Sequence, residues 1–162
     1  MKAADLAHEA GRKVALSLSD PFCVERHRAE FLNLIENHID ILFANQYELM
    51  ALVQEDDLDH ALEAIQDKCE IAAITKGKEG SVILEDQSRY NIDVMPVPKV
   101  MDTTGAGDLY AAGFLYAYTR GENPDICGQY ASIAASTVIQ HMGARSQQDW
   151  PKLFNFEKTV NE

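Results

Sequence analysis

The chain has 162 residues, of which 46% are hydrophobic and 25% are charged. This length and composition predict one globular domain with a sizeable core. The formal net charge of −12 excludes a general electrostatic attraction to nucleic acid or to an anionic membrane. No apolar run reaches the roughly 18 residues that a spanning helix needs, and the first residues lack the apolar core of a signal peptide. We therefore expect a cytoplasmic protein that does not bind membranes or nucleic acid.

Helical and strand patterns alternate over the first part of the chain. Residues 2–12 have apolar side chains at helical spacing and end near Gly11, and the apolar run 14–19 follows as the first predicted strand. The next helical pattern covers residues 24–38 and leads into a second predicted strand at 39–44.

Two further helices and a hairpin are predicted next. Residues 45–53 form a short helical pattern, and residues 57–69 form a strongly amphipathic one. The third predicted strand is 71–75, and the turn KGKEG separates it from a fourth apolar run at 81–86, so we expect a hairpin.

An edge strand and two longer helices complete the prediction. Residues 89–97 are a candidate edge strand, and a helix is predicted over 105–120. The last helix has Asn123 as its N-cap and Pro124 at its first position, and its apolar face continues until Gly143.

This order of elements predicts an α/β fold. Alternating helices and strands favour a three-layer, doubly wound, mostly parallel sheet with helices on both faces. The strands are apolar without strict alternation, as expected when both faces of a sheet are covered. Ligands of such folds bind at the carboxyl ends of the strands.

Cysteines and histidines give no sign of a metal site or a disulfide framework. Cys23, Cys69 and Cys127 are odd in number and far apart, without a CxxC motif, which favours neutral or buried thiols. The five histidines lie on helical patterns, and none has a partner at a recognised metal spacing. We expect no transition-metal site.

The motif DTTGAGD, residues 102–108, stands directly before the helix predicted at 105–120. Gly105 and Gly107 allow the backbone to approach an anion, and the free amides and dipole at a helix start favour negative charge. Asp108 is placed to accept a proton from a substrate hydroxyl beside those amides. The alternative is a tight turn followed by an aspartate that stabilises the helix dipole. No GxxxxGK[ST] motif is present, so the loop is not a P-loop.

These residues resemble the C-terminal signature of the ribokinase or PfkB family of carbohydrate and nucleoside kinases. The signature is followed here by Tyr110 and Gly113, and NQYE at 45–48 is similar to the family's NxxE motif. TKGKEG at 75–80 is similar to its TxGxxG motif, and ASTVIQHMGA resembles the helix and turn beside the nucleotide. The resemblance covers nearly the whole chain and implies the ribokinase-like fold and an ATP-dependent phosphotransferase.

The resemblance also implies roles for the DTTGAGD residues. Asp108 corresponds to the catalytic base, and Gly105, Ala106 and Gly107 correspond to the anion hole for the transferred phosphoryl group. Catalysis would then consist of positioning, a base and charge neutralisation.

NxxE and TxGxxG imply contacts with ATP and Mg²⁺. Asn45 would contact a nucleotide phosphate, and Glu48 would organise Mg²⁺ through its waters. The alternative for this pair is a helix capping box. Thr75 and Gly77 would line the nucleotide and Gly80 would shape the turn, whereas the alternative is an ordinary hairpin connection.

Three more positions are implied by the resemblance. Ser132 corresponds to a small polar residue near the adenine, whereas a lone serine on a helix is usually solvated or bonded to its own backbone. Asp102 and Thr104, with the turn at 142–144, resemble a loop that binds a monovalent cation, such as K⁺, in some relatives.

The beginning of the chain departs from the family pattern. The stretch that normally precedes it, with a Gly-Gly motif, most acceptor contacts and the β-sheet lid, is not in this sequence, and Asp20 corresponds to a loop near the transferred phosphate. Residues 1–162 are thus expected to be a single C-terminal nucleotide-binding and catalytic portion. SLSDPF and ANQYELMAL resemble the adenosine-kinase-like branch of the family, although these residues do not themselves contact the acceptor. The acceptor group implied by the family is a hydroxymethyl group of a sugar or nucleoside. The alternative is a non-catalytic nucleotide-binding remnant or a truncated fragment. An exposed sheet edge makes a homodimer a reasonable expectation.

Overall fold

A computed structural model describes residues 1–146 and 148. The chain divides into two compact units, the first comprising Met1–Asp93 and the second beginning at Val94. In the described residues no helix has both the length and the apolar character needed to cross a membrane. The assignment of the whole chain to a single portion of a kinase domain stays a prediction.

Unit 1 contains a five-stranded sheet and its helices. Its elements in chain order are α1 (Lys2–Glu9), β1 (Ala15–Ser17), α2 (Pro21–Arg26), α3 (Arg28–His38), β2 (Ile41–Asn45), α4 (Gln46–Val53), α5 (Leu58–Ile65), β3 (Ile71–Thr75), a 3-10 turn (Gly77–Glu79), β4 (Ser81–Glu85) and β5 (Ser88–Ile92).

The sheet is mixed and follows the chain order from β1 to β5. The β1–β2 and β2–β3 pairs are parallel, and the β3–β4 and β4–β5 pairs are antiparallel, so four of the five strands run in the same direction. The first four residues of β2, β3 and β4 are all buried, which explains why their sequences do not alternate. The α/β fold class predicted from the sequence is confirmed.

The helix predicted at 24–38 is wrong in its extent. The structure has two helices, α2 and α3, and α2 begins three residues earlier. The carboxylate of Asp20 accepts the backbone N–H of Phe22 at 2.8 Å, and Pro21 occupies the first helical position, where it costs no hydrogen bond. His27 leaves the helical region, with φ −119° and ψ 28°, and separates the two helices.

The candidate edge strand at 89–97 is shorter than predicted. β5 ends at Ile92 because Ile92 pairs with Ser81, the first residue of β4, so later residues have no partner on that strand. The helix predicted at 57–69 is also shorter, since α5 ends at Ile65. Strand β3 has its predicted bounds, and the predicted hairpin is the β3–β4 pair.

Unit 2 contains two packed helices, α6 (Ala106–Tyr118) and α7 (Pro124–Val138). A Cβ at Gly113 would lie 2.6 Å from the Tyr130 carbonyl oxygen and 2.7 Å from Ala134 Cβ, so glycine lets the helices approach closely. Asn123 occupies the predicted N-cap position, although its side chain makes no capping hydrogen bond. The sequence pattern predicted that this helix continues until Gly143, but α7 ends at Val138.

The cysteines are free thiols, as expected. Cys127 is buried, and burial is the main cause that raises the pKa of the Cys69 thiol to about 11. A thiol with such a pKa is protonated at neutral pH and is a poor nucleophile.

Candidate functional site

In unit 1, the predicted site residues of β2 and β3 lie side by side at the end of the sheet. Asn45, the last residue of β2, is in register with Thr75, the last residue of β3, and Thr75 is in register with Ser81. Neighbouring strands lie about 4.8 Å apart. The structure therefore brings Asn45 and Thr75 together at the carboxyl end of the parallel strands.

Asn45 and Glu48 form the capping box of α4, the structural alternative that the sequence also allowed. Asn45 Oδ1 accepts the backbone N–H groups of Tyr47 at 2.9 Å and Glu48 at 3.0 Å. Glu48 Oε2 accepts the Asn45 N–H at 2.8 Å, and Glu48 Oε1 accepts from Asn45 Nδ2 at 2.7 Å. Glu48 is only 6% exposed. These four hydrogen bonds fix the side chains of Asn45 and Glu48 relative to each other.

The pKa of Glu48 is raised by its burial and by the charge of a second carboxylate. Burial raises the pKa of Glu48 above its ordinary value, the Asn45 N–H opposes that shift, and the negative charge of Asp20 raises the pKa further. The Glu48 carboxyl group is therefore harder to ionise than an ordinary glutamate. Within the described residues no third His, Cys, Asp or Glu side chain joins Asp20 and Glu48 in a group able to hold a metal.

The TxGxxG segment forms a turn that depends on its glycines. Gly77 has φ +61°, and Gly80 has φ +80° with ψ −136°, a conformation that L side chains rarely adopt. The Lys76 N–H donates to the Gly80 carbonyl oxygen at 2.8 Å and closes the turn. The segment is a hairpin connection, and it places both glycines directly beyond Thr75.

In unit 2, Asp102 connects the DTTGAGD loop to the turn that follows α7 through hydrogen bonds. Its Oδ1 accepts the Thr104 N–H at 2.9 Å and the Thr104 hydroxyl at 2.7 Å, and its Oδ2 accepts the Gly143 N–H at 2.9 Å. The Thr104 hydroxyl is the largest cause, followed by the Gly143 and Thr104 amides, that lowers the pKa of Asp102 to about 2. Asp102 is therefore a carboxylate at all physiological pH values.

The loop passes directly into the first turn of α6. Gly105 is the N-cap residue with φ +82°, and a Cβ there would lie 2.8 Å from Ala144 Cβ. The Ala106 N–H donates to the Thr103 carbonyl oxygen, whereas the amides of Gly107 and Asp108 donate to no acceptor within residues 1–146 and 148. The Asp108 side chain is exposed in the same turn. The start of α6 therefore presents two free amides, a helix dipole and a carboxylate together.

Ser132 has a partner that the sequence did not indicate. Its Oγ accepts the backbone N–H of Met95 at 2.8 Å, so the hydroxyl is bonded to a residue 37 positions away. Sequence reasoning also missed His141, whose Nε2 is buried and has no hydrogen-bond partner among the described residues. The contact between Met95 and Ser132 has no local sequence signal, because the two residues are 37 positions apart in the chain.

Known proteins match this chain over most of its length. Residues 1–151 match the pfkB family carbohydrate kinase domain. A nucleoside kinase of Methanocaldococcus jannaschii is 32% identical over 129 residues, which are 79% of this chain and 42% of that protein.

Two solved structures are also similar. A probable sugar kinase from Rhizobium etli has 44% identity and a TM-score of 0.91, with 93% of this chain and 46% of that chain covered. The adenosine kinase of Sinorhizobium meliloti has 44% identity and a TM-score of 0.88, with 91% of this chain and 45% of that chain covered. This chain thus spans less than half the length of each of these three relatives. The family match over residues 1–151, together with the ribokinase-like fold and the motifs described above, shows that the chain belongs to the pfkB family of carbohydrate kinases.

Proposed function

We propose that this chain is the nucleotide-binding and phosphoryl-transfer part of an ATP-dependent kinase that acts on a hydroxymethyl group of a sugar or nucleoside. The observation that carries the proposal is the start of α6, where two free amides stand beside the exposed Asp108. Family membership supplies the reaction class, since the pfkB family comprises carbohydrate kinases.

The first turn of α6 has the properties of a phosphate site. The left-handed Gly105 turns the chain so that the next amides point out of the helix end. Gly107 has no side chain, and apart from its chain neighbours and the nearby backbone of α6 no atom of the described residues lies within 4 Å of the position of its Cβ, so an anion has room to approach the backbone. We assign Gly105, Ala106 and Gly107 to the anion hole that stabilises charge on the transferred phosphoryl group.

Asp108 is the proposed catalytic base. The acceptor O–H bond breaks as its proton passes to the Asp108 carboxylate, the acceptor oxygen bonds to the γ-phosphorus, and the bond from that phosphorus to the bridging oxygen breaks to release ADP. The exposure of the Asp108 side chain allows an acceptor hydroxyl to reach it.

Unit 1 carries the residues suited to Mg²⁺. The Asp20 and Glu48 carboxylates are hard oxygen ligands, and their mutual repulsion falls when a cation binds. Each oxygen of Glu48 accepts one hydrogen bond and retains a lone pair, so the capping box and a water-mediated contact with Mg²⁺ are compatible. Bound Mg²⁺ would neutralise phosphate charge, and Glu48 would hold its water ligands in place.

The remaining assignments concern the nucleotide and a second cation. Asn45, Thr75, Gly77 and Gly80 are proposed to contact ATP from the end of the sheet, and Ser132 is proposed to lie near the adenine. A K⁺ site at Asp102 and Thr104 stays a prediction, because the hydrogen bonds of Asp102 explain its low pKa without a cation.

The acceptor is proposed to be a nucleoside such as adenosine. Support comes from relatives called nucleoside kinase and adenosine kinase at 32% and 44% identity, although a probable sugar kinase also has 44% identity. The alternative is a nucleotide-binding remnant without catalysis. The chain spans less than half the length of these relatives. A homodimer and a cytoplasmic location stay predictions; Ala15 and Ser17 on the edge strand β1 are exposed and available for pairing.

Mg²⁺-ATP is expected to stabilise the chain against heat. A ligand at about 100 times its dissociation constant adds about 2.7 kcal/mol. For a chain of this size that corresponds to a rise of about 5–10 °C in Tm. Differential scanning fluorimetry at millimolar nucleotide measures the shift, with Mg²⁺ alone as the control without nucleotide. No shift with ATP would contradict the nucleotide-binding role.

The isolated chain is expected to transfer phosphate to adenosine, ribose or fructose only at trace rates, because most acceptor contacts of the family lie outside this sequence. A radiometric assay with [γ-³²P]ATP measures the transfer. Efficient turnover of any of the three acceptors would show that the acceptor pocket is complete in this chain, and it would eliminate the remnant alternative.

A further inference from the structure

The segment that leads to the DTTGAGD loop, residues 94–101, is anchored to α7 at its beginning and to Ile139, the C-cap residue of α7, at its end. We call it the leader segment. Near its beginning, the Met95 N–H donates to Ser132 Oγ at 2.8 Å. At its end, the Met101 N–H donates to the Ile139 carbonyl oxygen at 2.7 Å, and the Asp102 N–H lies 3.4 Å from the same oxygen.

The two anchors lie on the same side of α7. Ser132 and Ile139 are seven residues apart, which is close to two turns of an α-helix and about 10 Å along its axis. Six residue steps separate Met95 from Met101, and an extended chain of that length would span about 20 Å. The leader segment therefore has about twice the length needed to join its anchors, and one anchor alone would not determine its path.

The sequence of the leader segment limits its other means of attachment. Pro96 and Pro98 have no N–H to donate, and Lys99 and Val100 are exposed. Met95 is half-buried, and its backbone N–H donates a hydrogen bond to the Ser132 side chain in an otherwise irregular stretch. Ser132 thus provides the anchor at the N-terminal end of the segment.

The other end of the segment passes directly into the proposed phosphate site. Asp102, the next residue, holds Thr104 through two hydrogen bonds and Gly143 through one. Gly105 then packs closely against Ala144, and a Cβ at Gly105 would lie only 2.8 Å from Ala144 Cβ. Because these contacts are tight, a displacement of the leader segment is transmitted to the first turn of α6.

We infer that Ser132 is a positioning residue, which fixes the leader segment on α7 through Met95 and thereby orders the phosphate-binding turn at the start of α6. The consequence of this role, an ordered phosphate site, rests on the proposed function. The role itself differs from a direct contact between the Ser132 hydroxyl and the adenine.

Hydrogen exchange measured by NMR without nucleotide tests the inference in the intact chain. In Ser132→Ala, the Met95 amide is expected to exchange at least tenfold faster than in the unmodified chain. The Thr104 and Gly143 amides, which donate to Asp102, are expected to exchange at least threefold faster. Ser132→Thr keeps the hydroxyl and is expected to restore most of the protection.

Ser136→Ala is the matched control on the same helix. The Ser136 hydroxyl donates to the Ile133 carbonyl oxygen at 2.7 Å, a bond within α7, and Ser136 is as small and as polar as Ser132. Its substitution is expected to leave the Met95, Thr104 and Gly143 amides unchanged. Interior amides of α7 report any general loss of stability in either variant.

Unchanged exchange at Thr104 and Gly143 in Ser132→Ala would overturn the inference, whether or not Met95 changes. If exchange were unchanged at all three amides and the dissociation constant for Mg²⁺-ATP were higher in Ser132→Ala, Ser132 would instead be assigned to direct nucleotide contact. Since exchange is measured without ATP, failure of the proposed function would appear separately, as an absence of ATP binding by the unmodified chain.

Discussion

Replacing Asp108 with asparagine is expected to lower turnover by about 10²- to 10⁴-fold, the contribution typical of a general base. The dissociation constant for Mg²⁺-ATP is expected to stay within about threefold, since the amides proposed to bind phosphate are unchanged. Asparagine has nearly the same shape as aspartate, but it cannot accept the acceptor proton. The measurement is kcat with the kinase completed by the rest of its domain, alongside calorimetry with Mg²⁺-ATP.

Asp125→Asn is the control for this substitution. Asp125 lies in the first turn of α7, as Asp108 lies in the first turn of α6, so both variants lose a similar interaction with a helix dipole. Turnover by Asp125→Asn is expected to be within about twofold of the unmodified enzyme. Near-full activity in Asp108→Asn would eliminate Asp108 as the base.

Replacing Gly105 with alanine is expected to destabilise unit 2 by about 2–5 kcal/mol. The residue has φ +82°, and the left-handed region costs a residue with a side chain about 1–2 kcal/mol. The new Cβ would also lie 2.8 Å from Ala144 Cβ and 2.9 Å from the Ala144 Cα and carbonyl oxygen, and such overpacking costs about 1–3 kcal/mol. Urea denaturation followed by circular dichroism measures the loss.

Gly107→Ala is the matched control two residues away. In the part of the chain that the structure describes, the added Cβ has no neighbour within 4 Å beyond the adjacent residues and the backbone of α6, and the Gly107 backbone is helical. Alanine is the better helix former by up to about 1 kcal/mol, so stability is expected to be unchanged or slightly higher. If Gly105→Ala were as stable as Gly107→Ala, the tight contact between the loop and Ala144 would be wrong.

The sequence predicted those features that depend on neighbouring residues. The positions of Asp108 in a first helical turn and of the glycines at 77 and 80 in a turn follow from short motifs, and both are confirmed. The capping box of Asn45 and Glu48 was predicted as an alternative to a functional role, and the structure shows that it forms. The capping box is compatible with a water-mediated contact between Glu48 and Mg²⁺, because the Glu48 carboxylate keeps free lone pairs.

The remaining features depend on contacts between distant residues, which no local pattern records. Asp102 accepts a hydrogen bond from the Gly143 N–H, 41 positions away, and Ser132 accepts one from the Met95 N–H, 37 positions away. The break at His27 was missed because the apolar spacing continues across it, whereas the cap at Asp20 starts a separate helix. The effect of Asp20 on Glu48 likewise requires the packing of α2 against α4.

The affinity of Gly107→Ala for Mg²⁺-ATP tests the central claim most directly, because this variant alters the proposed phosphate site without a structural clash. Isothermal titration calorimetry of the variant and the unmodified chain gives the two dissociation constants. A methyl group where a phosphate approaches the backbone is expected to weaken binding at least tenfold, or by about 1.4 kcal/mol, at unchanged stability. Equal affinity in the two proteins would contradict the assignment of phosphate to the start of α6.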